Sequence, residues 1–279
     1  INMRPEIIFG GTGLLGSNYL LNKKNKIIYN IIHKKRAYNA KNIKIDILKL
    51  EEFIKKNKVQ IILNFAALTN IEECEKNKKA TYETNVKLPM DLSILAYKLK
   101  IKFVHISTDH FICKDYPIKE KSKVTTCNSY ARTKLLAEKK ILEFNKNALI
   151  IRTNFFKSES KKKSFFEKII EATRRNKFSF LFHDVYFNPV SIKFLLETMN
   201  KLISKKATGI FNVSSDGFFS KYEFGLSVLK KKKLKKNYII KSNFAKRKDL
   251  VKRPFNMTLC NKKLKQFLKI KTISLINQV

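Results

Sequence analysis

The residues in this sequence that best suit proton transfer are Tyr130 and Lys134. Their spacing of four places both side chains on one face of a helix, one turn apart. A nearby lysine favours the phenolate, so we expect Lys134 to lower the pKa of Tyr130 from the usual value of about 10. A phenol adjusted in this way can act as a general acid and protonate an alkoxide, the species formed when a ketone accepts a hydride.

The Tyr-x-x-x-Lys spacing needs support from its position, because lysine makes up about a fifth of the chain. Ten tyrosines in such a sequence produce roughly two matches by chance. Two are present, the other being Tyr19/Lys23. Tyr19 lies inside the first predicted helix, whereas Tyr130 opens a helix predicted over Ser129 to Phe144. Position therefore favours the second pair.

A predicted strand, Lys102 to Ile106, places three polar residues just beyond its carboxyl end: Ser107, Thr108 and Asp109. Ligands of open parallel sheets bind beyond this edge. The Thr108 hydroxyl can hydrogen-bond the carbonyl oxygen of a substrate, although strand-end hydroxyls more commonly cap the backbone. We expect Thr108 to lie near the tyrosine and lysine pair.

A glycine-rich turn follows the first predicted strand, in the stretch IIFGGTGLLG over residues 7–16. Gly10 allows a sharp exit from the strand, Gly13 lets the backbone approach a diphosphate, and Gly16 allows close packing of the next helix. The helix start then presents free N–H groups to the anion. Four of the seven glycines in the chain fall here, so we favour dinucleotide binding over a turn without a ligand.

The second predicted strand, Lys26 to Ile32, ends in a basic cluster made by His33, Lys34, Lys35 and Arg36. In NAD-binding folds a carboxylate at this place binds the ribose 2′-hydroxyl. The cationic cluster suits a 2′-phosphate instead, and the planar guanidinium of Arg36 matches a phosphate best. NADPH is therefore the preferred cofactor, with NADH as the alternative.

Strands and helices alternate along the chain, which predicts an α/β fold with a doubly wound parallel sheet. Further strands are expected at residues 43–47, 59–67, 149–153 and 209–213, and a long helical stretch at 72–100 is expected to be interrupted near Pro89. A capping box, Ser220 to Glu223, opens a later helix. We divide the chain into a cofactor-binding Rossmann domain, residues 1–155, and a smaller substrate-binding α/β lobe, residues 156–279, partly interleaved with the sheet.

The chain has a formal net charge of +38, carried mostly by lysines spread along its 279 residues. We interpret them as solvated faces that reflect a compositional bias, and we disfavour nucleic-acid binding. Four widely separated cysteines form no C-x-x-C pair, which argues against a zinc site or a disulfide framework and fits a reducing compartment. No stretch is long and apolar enough for a signal peptide or a membrane span. We expect a cytoplasmic protein without a metal.

Six motifs occur in order along the chain: GGTGLLG, NFAALT, Asn85, HISTD, SYARTK and RPFNMTL. In this set the sequence resembles the extended short-chain dehydrogenase/reductase family. Within that family it is most similar to the dTDP-4-dehydrorhamnose reductases, which are sugar-nucleotide reductases. The resemblance covers essentially the whole chain and is strongest over residues 7–155.

The resemblance implies NADPH-dependent reduction of the 4-keto group of a nucleotide-linked deoxysugar, in nucleotide-sugar and polysaccharide biosynthesis. It implies that Thr108, Tyr130 and Lys134 are catalytic, with Lys134 also holding the nicotinamide ribose. Cofactor contacts are implied for Gly10, Gly13, Leu14, Leu15, Gly16, His33, Lys34, Arg36, Asp46, Ile47, Ala66, Ala67, Asn85, Tyr130 and Lys134. Substrate contacts are implied for Thr69, Asp109, Asn154 and Arg253. Family members often pair through the helices that hold Asn85 and Tyr130, so a homodimer is expected.

The chain departs from the pattern of these reductases at four places: the stretch after Asp109, Ala131, Met257 and Cys260. These departures concern the identity of the sugar more than the reaction. The competing interpretations are an epimerase or dehydratase of the same fold, a non-catalytic nucleotide-binding subunit, and a nucleic-acid-binding protein. The basic strand end and the His110 that follows Thr108-Asp109 disfavour the first, and the presence of all three catalytic residue types disfavours the second.

Overall fold

A computed structural model describes residues 5–21, 27–32 and 36–279 of the protein. The strands in this part are β1 (Glu6–Phe9), β2 (Ile28–Ile31), β3 (Lys41–Ile43), β4 (Ile61–Asn64), β5 (Lys102–Ile106), β6 (Ile112–Cys113), β7 (Val124–Thr125), β8 (Leu149–Thr153), β9 (Phe155–Phe156), β10 (Ser179–Phe182), β11 (Tyr186–Phe187), β12 (Val190–Ser191), β13 (Gly209–Val213), β14 (Phe219–Ser220) and β15 (Ile239–Ser242). The helices are α1 (Leu14–Leu21), α2 (Leu50–Lys56), α3 (Ile71–Lys76), α4 (Lys78–Tyr82), α5 (Leu88–Lys98), α6 (Ser129–Phe144), α7 (Phe165–Arg174), α8 (Ile192–Ser204), α9 (Lys221–Lys231), α10 (Lys262–Leu268) and α11 (Leu275–Gln278).

Seven of the described strands form one parallel sheet in the order β13-β8-β5-β4-β1-β2-β3. This arrangement confirms the predicted doubly wound parallel α/β fold. Because successive residues of a strand point to opposite faces, Ile8 joins the apolar layer under α1, α8 and α10, whereas Ile7 joins the layer under α2, α5 and α6. Helices on both faces explain why the central strands are continuous apolar runs.

A smaller lobe has its own aromatic core, formed mainly by α7, α9 and the short parallel pair β10 and β15. Phe224 lies at its centre, with ring centroids 5.0 Å from Phe156 and 5.3 Å from Phe187. The capping boxes at Ser164 and Ser220 begin its two helices. Strand β13, which lies late in the chain, pairs with β8 at the edge of the large sheet, so the two halves of the sequence share one sheet.

Several predicted elements have the predicted bounds, namely α6, β5, β8 and β13. The strand predicted at residues 43–47 is wrong: β3 ends at Ile43, and Asp46 instead caps a 3-10 turn at residues 47–49 by accepting a hydrogen bond from Leu48 N at 3.0 Å. Asp side chains compete for backbone N–H groups in this way and favour such turns. The strand predicted at residues 59–67 is shorter, and its last residues form the loop after β4.

The helical stretch predicted at residues 72–100 is interrupted at Asn77, and the interruption near Pro89 is wrong. Pro89 lies in the first turn of α5, where a missing N–H costs little. The turn before it, residues 83–87, is a π turn in which Leu88 N donates to Glu83 O. Asn85 lies in this turn and is fully buried. In the described part of the chain, no helix is long and apolar enough to cross a membrane.

The glycine turn generates a stability prediction. Gly10 has φ +84°, and a Cβ there would lie 2.6 Å from the backbone N of Ala66, whereas Gly209 has φ +76° and open space around it. We expect Gly10→Ala to lower the free energy of unfolding by about 2–4 kcal/mol and the control Gly209→Ala by about 1–2 kcal/mol. Urea unfolding measures both. Equal losses for the two variants would contradict the close backbone approach.

Candidate active site

The first turn of α6 places Tyr130 at the carboxyl edge of the sheet. Asn128 accepts a hydrogen bond from Ala131 N at 2.8 Å, and Glu75 of α3 accepts bonds from the N–H and hydroxyl of Ser129. Although burial opposes it, this bonding lowers the pKa of Glu75. The carboxylate suits the positive end of a helix. Two side chains therefore fix the start of the helix directly beside the phenol.

Tyr130 and Thr108 lie close together, since the Thr108 side chain is one of the groups that shift the pKa of the phenol. Both are buried, and the ring of His110 packs edge-on against Tyr130 at 5.6 Å between centroids. Burial raises the pKa of Tyr130, the Thr108 hydrogen bond lowers it, and the charge of Asp109 raises it further. The net shift is upward, so the phenol stays protonated at neutral pH, which is the form that a general acid needs.

Lys134 lies one turn along the same face, and its side chain is buried. Its Nζ lies 2.7 Å from Ile106 O and 3.0 Å from His105 Nε2. Burial lowers its pKa to about 8, against the raising effect of Glu138. The expectation that Lys134 lowers the pKa of Tyr130 is wrong for this structure, because the lysine nitrogen is bonded to β5 and burial dominates at the phenol.

The same face of α6 ends in a buried ion pair. Glu138 accepts two hydrogen bonds from Arg152 Nε, at 3.0 and 3.2 Å, and one from Arg152 Nη2 at 2.7 Å. Ser107 Oγ donates to the same carboxylate at 2.5 Å. The Arg152 guanidinium also stacks on Phe111, 4.9 Å from the ring centroid. Polar contacts thus join α6 to the ends of β5 and β8.

The glycine turn lies against the loop after β4, which brings the predicted cofactor contacts together. Gly13 N donates to Gly10 O at 3.0 Å, and a Cβ on Gly16 would lie 2.2 Å from Gly10 O. Leu14 begins α1, and Leu15 packs into the apolar core. This cradle of backbone at a helix start, which no larger residue fits, is the shape that a dinucleotide diphosphate requires.

The other predicted cofactor residues in the described part of the chain follow β2, β3 and β4 and have different surroundings. Arg36 is exposed beyond β2, and Ala66 and Ala67 are half-buried beyond β4, whereas His33 and Lys34 fall outside the described residues. Asp46 caps its turn, and Ile47 is largely exposed.

Asn85 contacts the backbone of the loop after β4. Its amide accepts from Leu68 N at 2.8 Å and donates to Leu68 O at 3.0 Å, and it lies 3.3 Å from Thr133 Oγ1. Through Asn85, the loop after β4 is connected to α6. This loop also carries the exposed Thr69.

Of the predicted substrate residues, Asp109 and Asn154 meet directly, with Asn154 Nδ2 donating to Asp109 Oδ2 at 2.8 Å. His110 Nδ1 lies 2.9 Å from the other carboxylate oxygen. Arg253 is paired with Glu72 of α3.

Lys221, at the start of α9, is a residue that sequence reasoning missed. Its Nζ lies 3.2 Å from the centroid of Phe187. Burial lowers its pKa to about 8, while Asp109 raises it and Arg253 lowers it. Asp109 and Arg253 are therefore within electrostatic range of this ammonium. The capping box at the start of α9 is visible in the sequence, but nothing in the sequence distinguishes Lys221 from the many other lysines.

The ion pair under α6 generates a second stability prediction. Glu138→Gln keeps the side-chain shape but leaves Arg152 buried without its counter-charge, so we expect a loss of about 3–5 kcal/mol in the free energy of unfolding. The control is Glu143→Gln on the same helix, whose pair with Lys140 is exposed and worth at most about 1 kcal/mol. Urea unfolding compares them, and a Glu138→Gln loss as small as that of the control would refute the role of the pair.

The chain is similar to known proteins in sequence and in fold. A 29% identical relative is the spore coat polysaccharide biosynthesis protein SpsK of Bacillus subtilis (strain 168), matched over 61% of this chain and 60% of that protein. The probable low-salt glycan biosynthesis reductase Agl14 of Haloferax volcanii is 25% identical over 78% of this chain and 77% of its own length. The chain thus spans about three fifths of the first relative and three quarters of the second.

A crystal structure of dTDP-4-dehydrorhamnose reductase from Bacillus anthracis str. Ames, in complex with NADP, superposes with a TM-score of 0.87. The superposition covers 99% of this chain and 96% of that chain at 21% identity, and it shows a shared fold. The family model described as the RmlD substrate binding domain matches residues 4–278. Because this match covers nearly the whole sequence, the chain belongs to the RmlD substrate binding domain family.

Proposed function

We propose that the protein reduces the 4-keto group of a nucleotide-linked deoxysugar with NADPH. The observation that carries this proposal is the buried Tyr130 beside the buried Thr108, with Lys134 one turn away, at the sheet edge where the glycine turn lies. A protonated phenol and a hydroxyl beside a nucleotide-binding turn are the groups that carbonyl reduction needs. Membership in the RmlD family and the reductase among the relatives support the same reaction.

A nicotinamide bound beside these residues would supply the hydride for the carbonyl carbon. The Thr108 hydroxyl donates a hydrogen bond to the carbonyl oxygen, which fixes the ketone beside Tyr130. Burial holds Tyr130 in its protonated form, so the phenol can pass its proton to the oxygen as negative charge develops there. Lys134, one turn along α6, would hold the nicotinamide ribose.

The cofactor is assigned as NADPH from the end of β2. Arg36 is exposed there, and a guanidinium matches a 2′-phosphate in charge and in planar geometry. The Bacillus anthracis structure of the same fold contains NADP. Gly10, Gly13 and Gly16 would leave the backbone open to the diphosphate.

The substrate is assigned as a nucleotide sugar because cationic groups lie beside the catalytic edge. Lys221 and Arg253 lie close enough to influence each other electrostatically, and a diphosphate would neutralise both charges. Asp109 and Asn154 hold each other at 2.8 Å in the same region, with polar atoms suited to sugar hydroxyls.

The first test of the reaction is oxidation of NADPH by the purified protein with a dTDP-4-keto-6-deoxysugar formed in the same tube. Tyr130→Phe removes only the acidic hydroxyl, so we expect turnover to fall by at least about 10²-fold while NADPH affinity is retained. Unaltered turnover in this variant would refute the proton donor. Binding of NADPH without reduction of any nucleotide sugar would refute the substrate assignment and favour a regulatory subunit.

A second test addresses Lys221. We expect Lys221→Gln to raise KM for the nucleotide sugar about tenfold or more with little change in kcat, because it removes a charged contact made equally to bound substrate and transition state. The matched control is Lys241→Gln, an exposed lysine on β15, which we expect to leave both constants unchanged. An unchanged KM in Lys221→Gln would remove this lysine from the substrate site.

A further inference from the structure

His105 links the catalytic helix to the middle of the sheet. It lies in β5 and is fully buried, with Nδ1 3.0 Å from Asn64 Nδ2 of β4 and Nε2 3.0 Å from Lys134 Nζ of α6. Each ring nitrogen therefore faces a nitrogen of a neighbouring element. A neutral imidazole has one donor and one acceptor, so these contacts determine which nitrogen carries the proton.

The orientation of the Asn64 amide determines which ring nitrogen of His105 carries the proton. Its Oδ1 accepts a hydrogen bond from Ala66 N at 3.2 Å, so its NH₂ group is the one that faces His105. An amide NH₂ only donates, and His105 Nδ1 must accept. The proton of the neutral ring then lies on Nε2 and points at Lys134.

This N–H favours one protonation state of the lysine. A neutral amine can accept a hydrogen bond from Nε2–H and still donate to Ile106 O at 2.7 Å, whereas an ammonium has no lone pair with which to accept. Burial lowers the pKa of Lys134 to about 8 and that of His105 well below its usual value. The other charged groups are Glu138, one turn along α6, and its partner Arg152 on β8. Glu138 raises the pKa of the lysine.

We propose that His105, oriented by Asn64, is a positioning residue that makes the neutral amine of Lys134 accessible during turnover. The inference rests on the proposed function. Tyr130 gives its O–H proton to the alkoxide and becomes a phenolate. The Lys134 ammonium passes a proton to that phenolate and becomes an amine, which accepts from His105. Water then returns one proton to the amine, so each cycle consumes one hydride and one proton.

The first test measures the tautomer in the intact protein. Nitrogen NMR of protein labelled with ¹⁵N-histidine reports the protonation of each ring nitrogen, and the signals lost in His105→Gln assign His105. We expect Nε2 protonated, Nδ1 bare, and no titration between about pH 5 and 8. A protonated Nδ1, or titration near the usual histidine pKa, would overturn the inference.

The second test uses Asn64→Asp, which has nearly the same shape but presents only acceptors. The carboxylate accepts from Nδ1–H, leaving Nε2 bare to accept from the Lys134 ammonium. We expect the tautomer to switch and the pKa of Lys134 to rise, which moves the alkaline limb of the kcat profile upward by about one pH unit. His105→Gln places a carbonyl oxygen within reach of Lys134 and is expected to shift the limb in the same direction.

If His105 has only a structural role, Asn64→Asp and His105→Gln lower kcat equally at every pH and leave the alkaline limb in place. That result would overturn the proposal. The inference about His105 and the proposed reductase function can be refuted independently of each other. The Nε2–H tautomer without any reductase activity would leave the geometry intact and refute the proposed function. Turnover with the opposite tautomer would retain the function and refute the role of His105.

Discussion

Burial of a polar helix face constrains the whole site. The face of α6 that carries Tyr130, Lys134 and Glu138 is packed against the sheet, and every polar group there needs a partner that water does not supply. The partners come from the ends of β5 and β8, chiefly Arg152 and the backbone and side chains near His105. A shift of the helix by one residue would break all of these contacts together. The position of the phenol is therefore set by the same bonds that hold the fold.

A second constraint is the close approach of two backbones at the glycine turn. Gly10 lies against Ala66, so the turn after β1 and the loop after β4 meet where the strands end. Asn85 holds that loop through the backbone of Leu68 and connects it to α6. The proposed cofactor cradle and the proposed proton donor are thus parts of one connected structure. Lys221 of the smaller lobe, which packs on Phe187, is within electrostatic range of Asp109.

Much of the fold follows from local pattern. The strand β8 and the helix α6 were predicted with correct bounds, because one is a short apolar run and the other has an Asn cap and an apolar stripe. The strand predicted at residues 43–47 is wrong, because the Asp46 side chain caps a 3-10 turn there despite the apolar pattern. Spacing and order predict Thr108, Tyr130 and Lys134 as catalytic residues, and the structure brings the three side chains to one edge of the sheet. The proposed roles of His105 and Lys221 could not be predicted from the sequence, because the groups around them come from distant strands and helices.

The central claim is that a hydride passes from NADPH to a keto sugar held beside Tyr130. Its most direct test is mass spectrometry of the nucleotide sugar after incubation with NADPH deuterated at the transferred position of C4. The account predicts one deuterium in the sugar, bound to carbon, and none in protein carrying Tyr130→Phe over the same time. A sugar nucleotide converted without gain of deuterium would show chemistry with no net hydride transfer, as in an epimerase, and would contradict the account.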